Sequence, residues 1–183
     1  MDRRQRKTRE AIFTAFVELL SKKDFGPITV GEIIDRADVG RATFYAHFET
    51  KDYLLKELCG ELFCHIFDAM GQEETEHRHI FSCNAPDSPI LHLFQHLQKN
   101  DNNLLILLSG QNRELFLPYF KENLQQLIDN QSHLFADKKR KELPESFWRN
   151  HIVCVFVETL KWWTDHGFKE SPETITSYFY LAL

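Results

Sequence analysis

The sequence contains little glycine and proline and no long apolar run. Its 183 residues include 7 glycines and 6 prolines, too few for a collagen-like or low-complexity chain. No stretch approaches the roughly 18 consecutive apolar residues that a membrane-spanning helix needs. The first residues are charged and no apolar segment follows them, so no secretory signal is predicted. We therefore expect a globular cytoplasmic protein without a membrane partner.

Cysteine is also scarce, and its spacing excludes the common cysteine-based sites. The four cysteines, Cys59, Cys64, Cys83 and Cys154, form no CxxC pair, so no structural zinc site is predicted. Without an export signal the thiols should be reduced. Enzyme motifs such as GxSxG, HExxH and a glycine-rich phosphate loop are missing too. The sequence therefore predicts neither an enzyme nor a cofactor.

The net charge of −5 hides an uneven distribution along the chain. Residues 1–58 carry 11 Lys and Arg against 10 Asp and Glu, whereas residues 59–183 carry 11 against 17. Five of the basic residues lie within the first nine positions. A basic end on an acidic body is typical of a protein that meets a polyanion at one end.

Apolar residues recur at helical spacing throughout, and no segment alternates as a strand does. We predict an all-α protein with a three-helix head at 1–50 and a helical domain at 51–183. Thr29 and Glu32 are spaced as a capping box at the start of the second helix. Thr50 should cap a long fourth helix, and Ser-Pro pairs should begin two later ones. Further helices are predicted at 89–99, 102–110, 113–135, 145–166 and 172–183.

Residues 29–48 have the spacing of a helix-turn-helix: a capped helix of about eight residues, a three-residue turn and a second short helix. In that motif the second helix enters the major groove of DNA. Phe44 and Phe48 are four apart and should face inward, whereas the outward side chains carry polar groups. These outward residues are Arg41, Thr43, Tyr45 and His47. An ordinary helical hairpin with solvated polar residues would have the same spacing.

The residues of this segment resemble the N-terminal domain of TetR/AcrR-family transcriptional regulators. Family sequences read like T-x-x-x-I-A-x-x-A-G-V-S-x-x-T-x-Y-x-Y/H-F-x-x-K-x-x-L, and the likeness covers roughly residues 5–66. Three positions depart from the pattern: Asp38 replaces a turn glycine, Gly40 a capping serine and Ala42 a frequent glycine. The matching residues are Thr29, Ile33, Ala37, Val39, Thr43, Tyr45, His47, Phe48, Lys51 and Leu54.

The resemblance implies how the head would bind duplex DNA. Arg41 would read a guanine edge, with Thr43 against a neighbouring base, and Ala42 would let the helix approach closely. Phosphate contacts would come from the remaining polar residues and the basic N-terminus, although Tyr45 could instead pack between helices. These phosphate-binding candidates are Arg3, Arg4, Arg6, Thr29, Tyr45, His47 and Lys51.

Residues beyond the head match the family in architecture, which implies a domain that dimerises through its two C-terminal helices and binds a small effector. The apolar face of the helix at 145–166 and the apolar last helix fit such an interface. The same residues could form an intramolecular core. The face consists of Ile152, Val153, Val155, Phe156 and Leu160, with Tyr178, Phe179 and Leu181 on the last helix.

The effector is expected to be an organic molecule, bound among apolar helices by a few polar groups. His65, His92, His96 and Trp162 are the candidates for that role. His92 and His96 have a spacing that can bind a metal, but the sequence indicates no further ligand for it. An acidic and histidine-containing stretch, Glu73, Glu74, Glu76, His77 and His79 with Cys83, could also bind a metal, and a solvated loop is the simpler interpretation. No metal site is predicted.

Together these features predict a ligand-responsive repressor that binds a palindromic operator as a homodimer. A metal-responsive regulator is one alternative. The other is an adaptor that keeps the helix-turn-helix fold and acts through protein contacts.

Overall fold

The computed structural model describes residues 3–70, 88–98 and 113–183, with residues 67–70 described by their backbone alone. These ranges contain eight α-helices, one 3₁₀ turn and no strand, so the all-α prediction is confirmed. The helices are α1 Arg3–Leu20, α2 Val30–Ala37, α3 Arg41–His47, α4 Lys51–Met70, α5 Pro89–Gln98, α6 Arg113–Asn130, α7 Glu145–Asp165 and α8 Pro172–Leu181, with the 3₁₀ turn at Ser132–Phe135 between α6 and α7.

The helix starts agree with the capping signals in the sequence. Thr50 accepts a hydrogen bond from the Tyr53 N–H at 3.0 Å at the start of α4. Ser88 and Ser171 do the same for α5 and α8, each at 3.3 Å. The helix predicted at 113–135 is instead α6 followed by the 3₁₀ turn. The helix predicted at 102–110 and the acidic and histidine-containing stretch at 73–83 lie outside the described residues.

An aromatic cluster holds the head together. Phe44 and Phe48 are fully buried, as predicted, and Phe48 packs edge-on against Phe13 of α1 with ring centroids 5.3 Å apart. Burying a phenylalanine side chain stabilises a fold by about 1.5–3 kcal/mol. This cluster therefore fixes α3 against α1, although α3 has only seven residues.

The described residues beyond the head pack as layers of helices that begin with α4. Helix α4 packs on α6 and α5, α6 packs on α7, and α8 packs on both α5 and α7. Phe94 of α5 stacks on Phe156 of α7 at 4.6 Å and meets Trp163 edge-on at 5.6 Å. Helix α4 thus leads from the head directly into the core of the larger domain.

The apolar face proposed for dimerisation lies mostly inside the chain. Ile152, Phe156 and Leu160 are at most 2% exposed and pack in the core. The alternative of an intramolecular core is therefore correct for these residues. Apolar residues that recur every 3.6 positions identify an apolar helix face, but they do not identify the surface that covers it.

Among the described residues, every helix is too short or too polar to cross a lipid bilayer.

Candidate nucleic-acid interface

Helix α2 and the turn after it have the geometry that the sequence predicted. The Thr29 hydroxyl accepts from the Glu32 N–H at 3.2 Å, and a Glu32 carboxylate oxygen accepts from the Thr29 N–H at 2.9 Å. The capping box is therefore complete. Asp38 ends the helix in the left-handed conformation, with φ of 52°. Aspartate thus takes the conformation for which the family pattern uses glycine.

Helix α3 buries Phe44 and exposes its other face. Arg41, Ala42 and Thr43 are exposed, and Arg41 forms no ion pair with any described residue. Gly40 precedes the helix in an extended conformation and provides no side-chain cap. The outward face therefore presents a cation, a small residue and a hydroxyl next to one another, a set that suits a DNA groove.

The two aromatic candidates at the end of α3 differ in their surroundings. Tyr45 is 47% exposed, and its ring is edge-on to neighbouring Phe44 at 5.4 Å. Its hydroxyl is therefore available to a phosphate. His47 is half-buried, and burial, helped by the positive charge of Arg9, lowers its pKa below the usual 6.5. Burial thus favours the neutral imidazole, which has one N–H donor for a phosphate.

Lys51, expected to contact a phosphate, is engaged within the protein. Its ammonium group donates to the backbone carbonyl oxygens of Phe25, Gly26 and Ile28, each at 2.8 Å. The same nitrogen lies 4.3 Å from the centroid of the Phe25 ring. An ammonium has three N–H donors, so all of them are used within the protein. Lys51 fastens the turn before α2 to the start of α4.

Thr29 is also engaged, because its hydroxyl donates to the Glu32 carboxylate at 3.0 Å while accepting from the backbone. A phosphate contact donated by the Thr29 hydroxyl would therefore replace its bond to Glu32 and leave the two bonds of the capping box intact. The carboxyl group of Glu32 is unusually acidic, because hydrogen bonds from Lys23 and from Thr29 lower its pKa to about 2.

The basic N-terminus is the first part of α1. Arg3 and Arg4 are exposed, and Arg6 lies 3.7 Å from Glu10 in an i,i+4 pair. Arg9, a fifth basic residue of this segment, points instead to α4, where its guanidinium lies 2.6 Å from Glu57. The outer arginines of the segment remain available to DNA, and the structural role of Arg9 had no signal in the sequence beyond its charge.

The effector candidates separate into two places. The three histidines His65, His92 and His96 come together between α4 and α5, with ligand nitrogens within 4.8 Å of one another. Trp162 is 41% exposed and lies elsewhere, stacked on His166 at 4.2 Å and edge-on to Tyr178 at 6.2 Å. The sequence indicated no further ligand for the His92 and His96 pair, and His65 lies there in the structure.

Two family models match the chain. The model for bacterial regulatory proteins of the tetR family matches residues 12–58. The model for a transcriptional regulator C-terminal region matches residues 84–182. The two matches include α2 and α3 in the first and α5 to α8 in the second. The boundary at residue 50 stays a prediction.

Individual relatives resemble the chain over most of its length. A TetR transcriptional regulator from Streptococcus agalactiae 2603V is 33% identical, with a TM-score of 0.72, 97% of this chain covered and 94% of that one. The fatty acid degradation regulator FadR from Bacillus halodurans has the same fold, with 20% identity, a TM-score of 0.61, and 96% and 94% of the two chains covered. Uncharacterized HTH-type transcriptional regulator YxbF from Bacillus subtilis (strain 168) is 26% identical over 98% of this chain and 45% of its own length. The chain thus spans about half the length of this curated relative.

Proposed function

Because the chain belongs to the TetR family of bacterial transcriptional regulators, we propose that it binds an operator in duplex DNA through α2 and α3 and represses transcription as a homodimer. The family comprises DNA-binding regulators rather than enzymes. The observation that carries this proposal is the outward face of α3. Its exposed Arg41 has no ion-pair partner among the described residues, and buried Phe44 fixes the helix behind it.

The proposed division of labour gives Arg41 the base contact and Tyr45 a phosphate contact. A bidentate arginine–guanine contact discriminates against a wrong base by about 1–3 kcal/mol. A phosphate contact adds affinity for every sequence, and the neutral Tyr45 hydroxyl would do so without changing the salt slope, which depends on charged contacts. The two residues should therefore respond differently to truncation.

The test is selection of operator sequences from a random duplex library, followed by anisotropy titrations at several salt concentrations. Arg41→Ala should relax the preference at one position of each half-site, and Tyr45→Phe should weaken binding to all duplexes alike. Arg140→Ala, which removes an exposed arginine far from the head in sequence, is the matched control. An unchanged sequence preference in Arg41→Ala would refute the base contact, and no salt-dependent duplex binding by the unmodified chain would favour the adaptor alternative.

The homodimer is supported by exposed apolar side chains on α7 and α8. Trp162 contacts Tyr178 across the two helices, and Leu181 is 80% exposed. Contiguous exposed apolar surface on a soluble protein marks an interaction site. A two-fold axis would place the same patch on both subunits.

The effector is proposed to act through α4, which begins next to α3 and continues into the larger domain. An effector that prefers one tilt of α4 would shift the population of dimers. That shift would change the separation of the two α3 helices, which must match successive major grooves about 34 Å apart.

An organic effector is supported by a groove of about 410 Å³ between α5 and α8. Leu91, Tyr180 and Leu181 give it apolar contacts, and the polar residues of its lining, among them Lys138 and Glu173, would orient a ligand. The test is operator release, measured with hydrophobic and aromatic compounds and separately with transition-metal ions. Release by a metal ion, abolished by His92→Ala, would favour the metal-responsive alternative instead.

A further inference from the structure

Three histidines from two helices form a cluster inside the larger domain. His65 lies on α4, and His92 and His96 lie on α5; the last two are almost completely buried. We infer that this cluster binds one divalent transition-metal ion, with Zn²⁺ as the typical occupant. The inference goes beyond the proposed function, since it concerns ion binding and holds whether or not the chain binds DNA.

Local structure brings two of the ligands to one helix face. Residues four apart on an α-helix are neighbours on the same side. The start of α5 is fixed by the Ser88 cap, and Phe94 on the same helix packs against Phe156 and Trp163 of α7. Packing thus sets both the register and the rotation of the helix that carries His92 and His96.

Tertiary packing adds the third ligand from α4. The His65 ring lies 5.1 Å from the His92 ring and 4.7 Å from the His96 ring, measured between centroids. Leu62, one turn before His65, and Ile66, the residue after it, are buried in the core. The segment of α4 that carries His65 is therefore anchored in the core.

The distances are close to those of a tetrahedral site. Zn–N bonds of about 2.0–2.1 Å place two ligand nitrogens about 3.3 Å apart in a tetrahedron. The Nε2 atoms of His92 and His96 are 3.1 Å apart, and all three residues offer nitrogens within 4.8 Å of one another. Bringing the widest pair to coordination distance requires an approach of at most about 1.5 Å, which rotations of two imidazole rings can share.

The protonation chemistry also fits a metal ion. In the contact between His92 and His96, one ring must donate its Nε2 proton and the other must accept with a lone pair. Two protonated rings at this distance would place like charges together in the interior, which is costly. Coordination through Nε2 requires that the ring proton sits on Nδ1. For a neutral ring this is a change of tautomer that releases no proton.

The ligand set selects the class of ion. Imidazole nitrogens suit Zn²⁺, Cu²⁺, Ni²⁺ and Co²⁺, whereas Mg²⁺ and Ca²⁺ prefer oxygen. Among the described residues the cluster contains histidines alone, and three histidines are a known ligand set of zinc sites. A bound ion would join α4 to α5 directly.

The experiment uses the full chain after treatment with a chelator and its removal. Co²⁺ is titrated while its visible absorption is followed, Zn²⁺ is then added in competition, and the bound metal is counted by elemental analysis. His65→Gln and His96→Gln each remove one ligand. His133→Gln is the matched control, because it removes an exposed histidine from the 3₁₀ turn.

The unmodified chain and His133→Gln should bind one Co²⁺ per chain, displaced by Zn²⁺ and not by millimolar Mg²⁺. His65→Gln and His96→Gln should bind Co²⁺ at least about tenfold more weakly. Circular dichroism establishes that each variant is helical. If the change at buried His96 prevents folding, His65→Gln still tests the inference, because His65 is only half-buried. Failure of the unmodified chain to bind Co²⁺ or Zn²⁺, or equal binding by the ligand variants, would overturn the inference. None of these measurements involves DNA, so failure of the inference is distinguishable from failure of the proposed function.

Discussion

The ammonium nitrogen of Lys51 lies 2.8 Å from the backbone carbonyl oxygen of Ile28, 23 residues earlier in the chain. The contact joins the first residue of α4 to the turn that precedes α2. Together with the bonds to Phe25 and Gly26, it satisfies carbonyl groups that no helix pairs. Lys51 therefore stabilises the position of α2, and with it the orientation of the helix pair proposed to bind DNA.

We predict that Lys51→Met lowers the free energy of unfolding by about 1–2 kcal/mol, because a half-exposed charge-assisted hydrogen-bond cluster is lost. Urea denaturation followed by circular dichroism measures the change. The salt slope of DNA binding should stay the same, since the ammonium has no free donor for a phosphate. Lys22→Met, at an exposed lysine after α1, is the control for loss of one positive charge. If Lys51→Met leaves the stability unchanged and reduces the salt slope of DNA binding by about one, Lys51 contacts a phosphate as the sequence predicted.

The left-handed conformation of Asp38 gives a second prediction. Left-handed backbone costs a residue with a side chain roughly 1–2 kcal/mol, and glycine avoids most of this cost. Asp38→Gly should therefore raise the free energy of unfolding by about 0.5–1 kcal/mol. The same change at Asp35, exposed in the interior of α2, should instead lower it by roughly 0.3 kcal/mol, the difference between the helix propensities of aspartate and glycine. Thermal and urea unfolding of the pair measures both; a loss of stability in Asp38→Gly would contradict the conformational argument.

Much of the head could be predicted from the sequence because its signals are local. The capping box of Thr29 and Glu32 and the turn at Asp38 depend on residues a few positions apart. The role of Lys51 could not be predicted, because its partners are backbone carbonyls more than 20 residues away. A lysine at the start of a helix has the same sequence signature whether it binds a phosphate or a turn.

The larger domain was harder to predict for a related reason. Phe156 and Trp162 both belong to apolar patterns on α7, yet Phe156 is fully buried within the chain and Trp162 is exposed. Periodicity marks apolar positions without saying which surface covers them. The histidine cluster likewise depends on α4 and α5 packing side by side. The spacing of His92 and His96 along one helix carries no information about that packing.

The third prediction concerns the acidity of Glu32. Hydrogen bonds from Lys23 and Thr29 lower the pKa of this carboxyl to about 2, from an ordinary value of 4.5. A folded-state pKa below the unfolded one contributes stability that is present above pH 4.5 and is lost as the pH falls to about 2. The stability difference between the unmodified chain and Glu32→Gln should therefore be largest near neutral pH and shrink across that interval.

Melting temperatures measured between pH 7 and pH 2 test the Glu32 prediction. High salt should reduce the difference, since the carboxylate is exposed and its attraction to Lys23 is screened. Glu142→Gln, which removes an exposed carboxyl outside the head, controls for the change in net charge. A Glu32→Gln difference that stays constant from pH 7 to pH 2 would contradict the assignment.

The last prediction concerns the surface of α7 and α8 that remains exposed in the single chain. If Trp162, Tyr178 and Leu181 lie at the two-fold axis, the chain should sediment at about twice its 21.7 kDa at micromolar concentration. Tyr178→Glu should shift the equilibrium to monomer, because two copies of a charge would be buried near one another without a partner. Leu115→Glu is the matched control, since Leu115 on α6 is as exposed as Tyr178, 47% in each case. If the unmodified chain sediments only as a species of 21.7 kDa, the dimer is refuted. If Leu115→Glu dissociates the dimer and Tyr178→Glu does not, the interface lies on α6 instead.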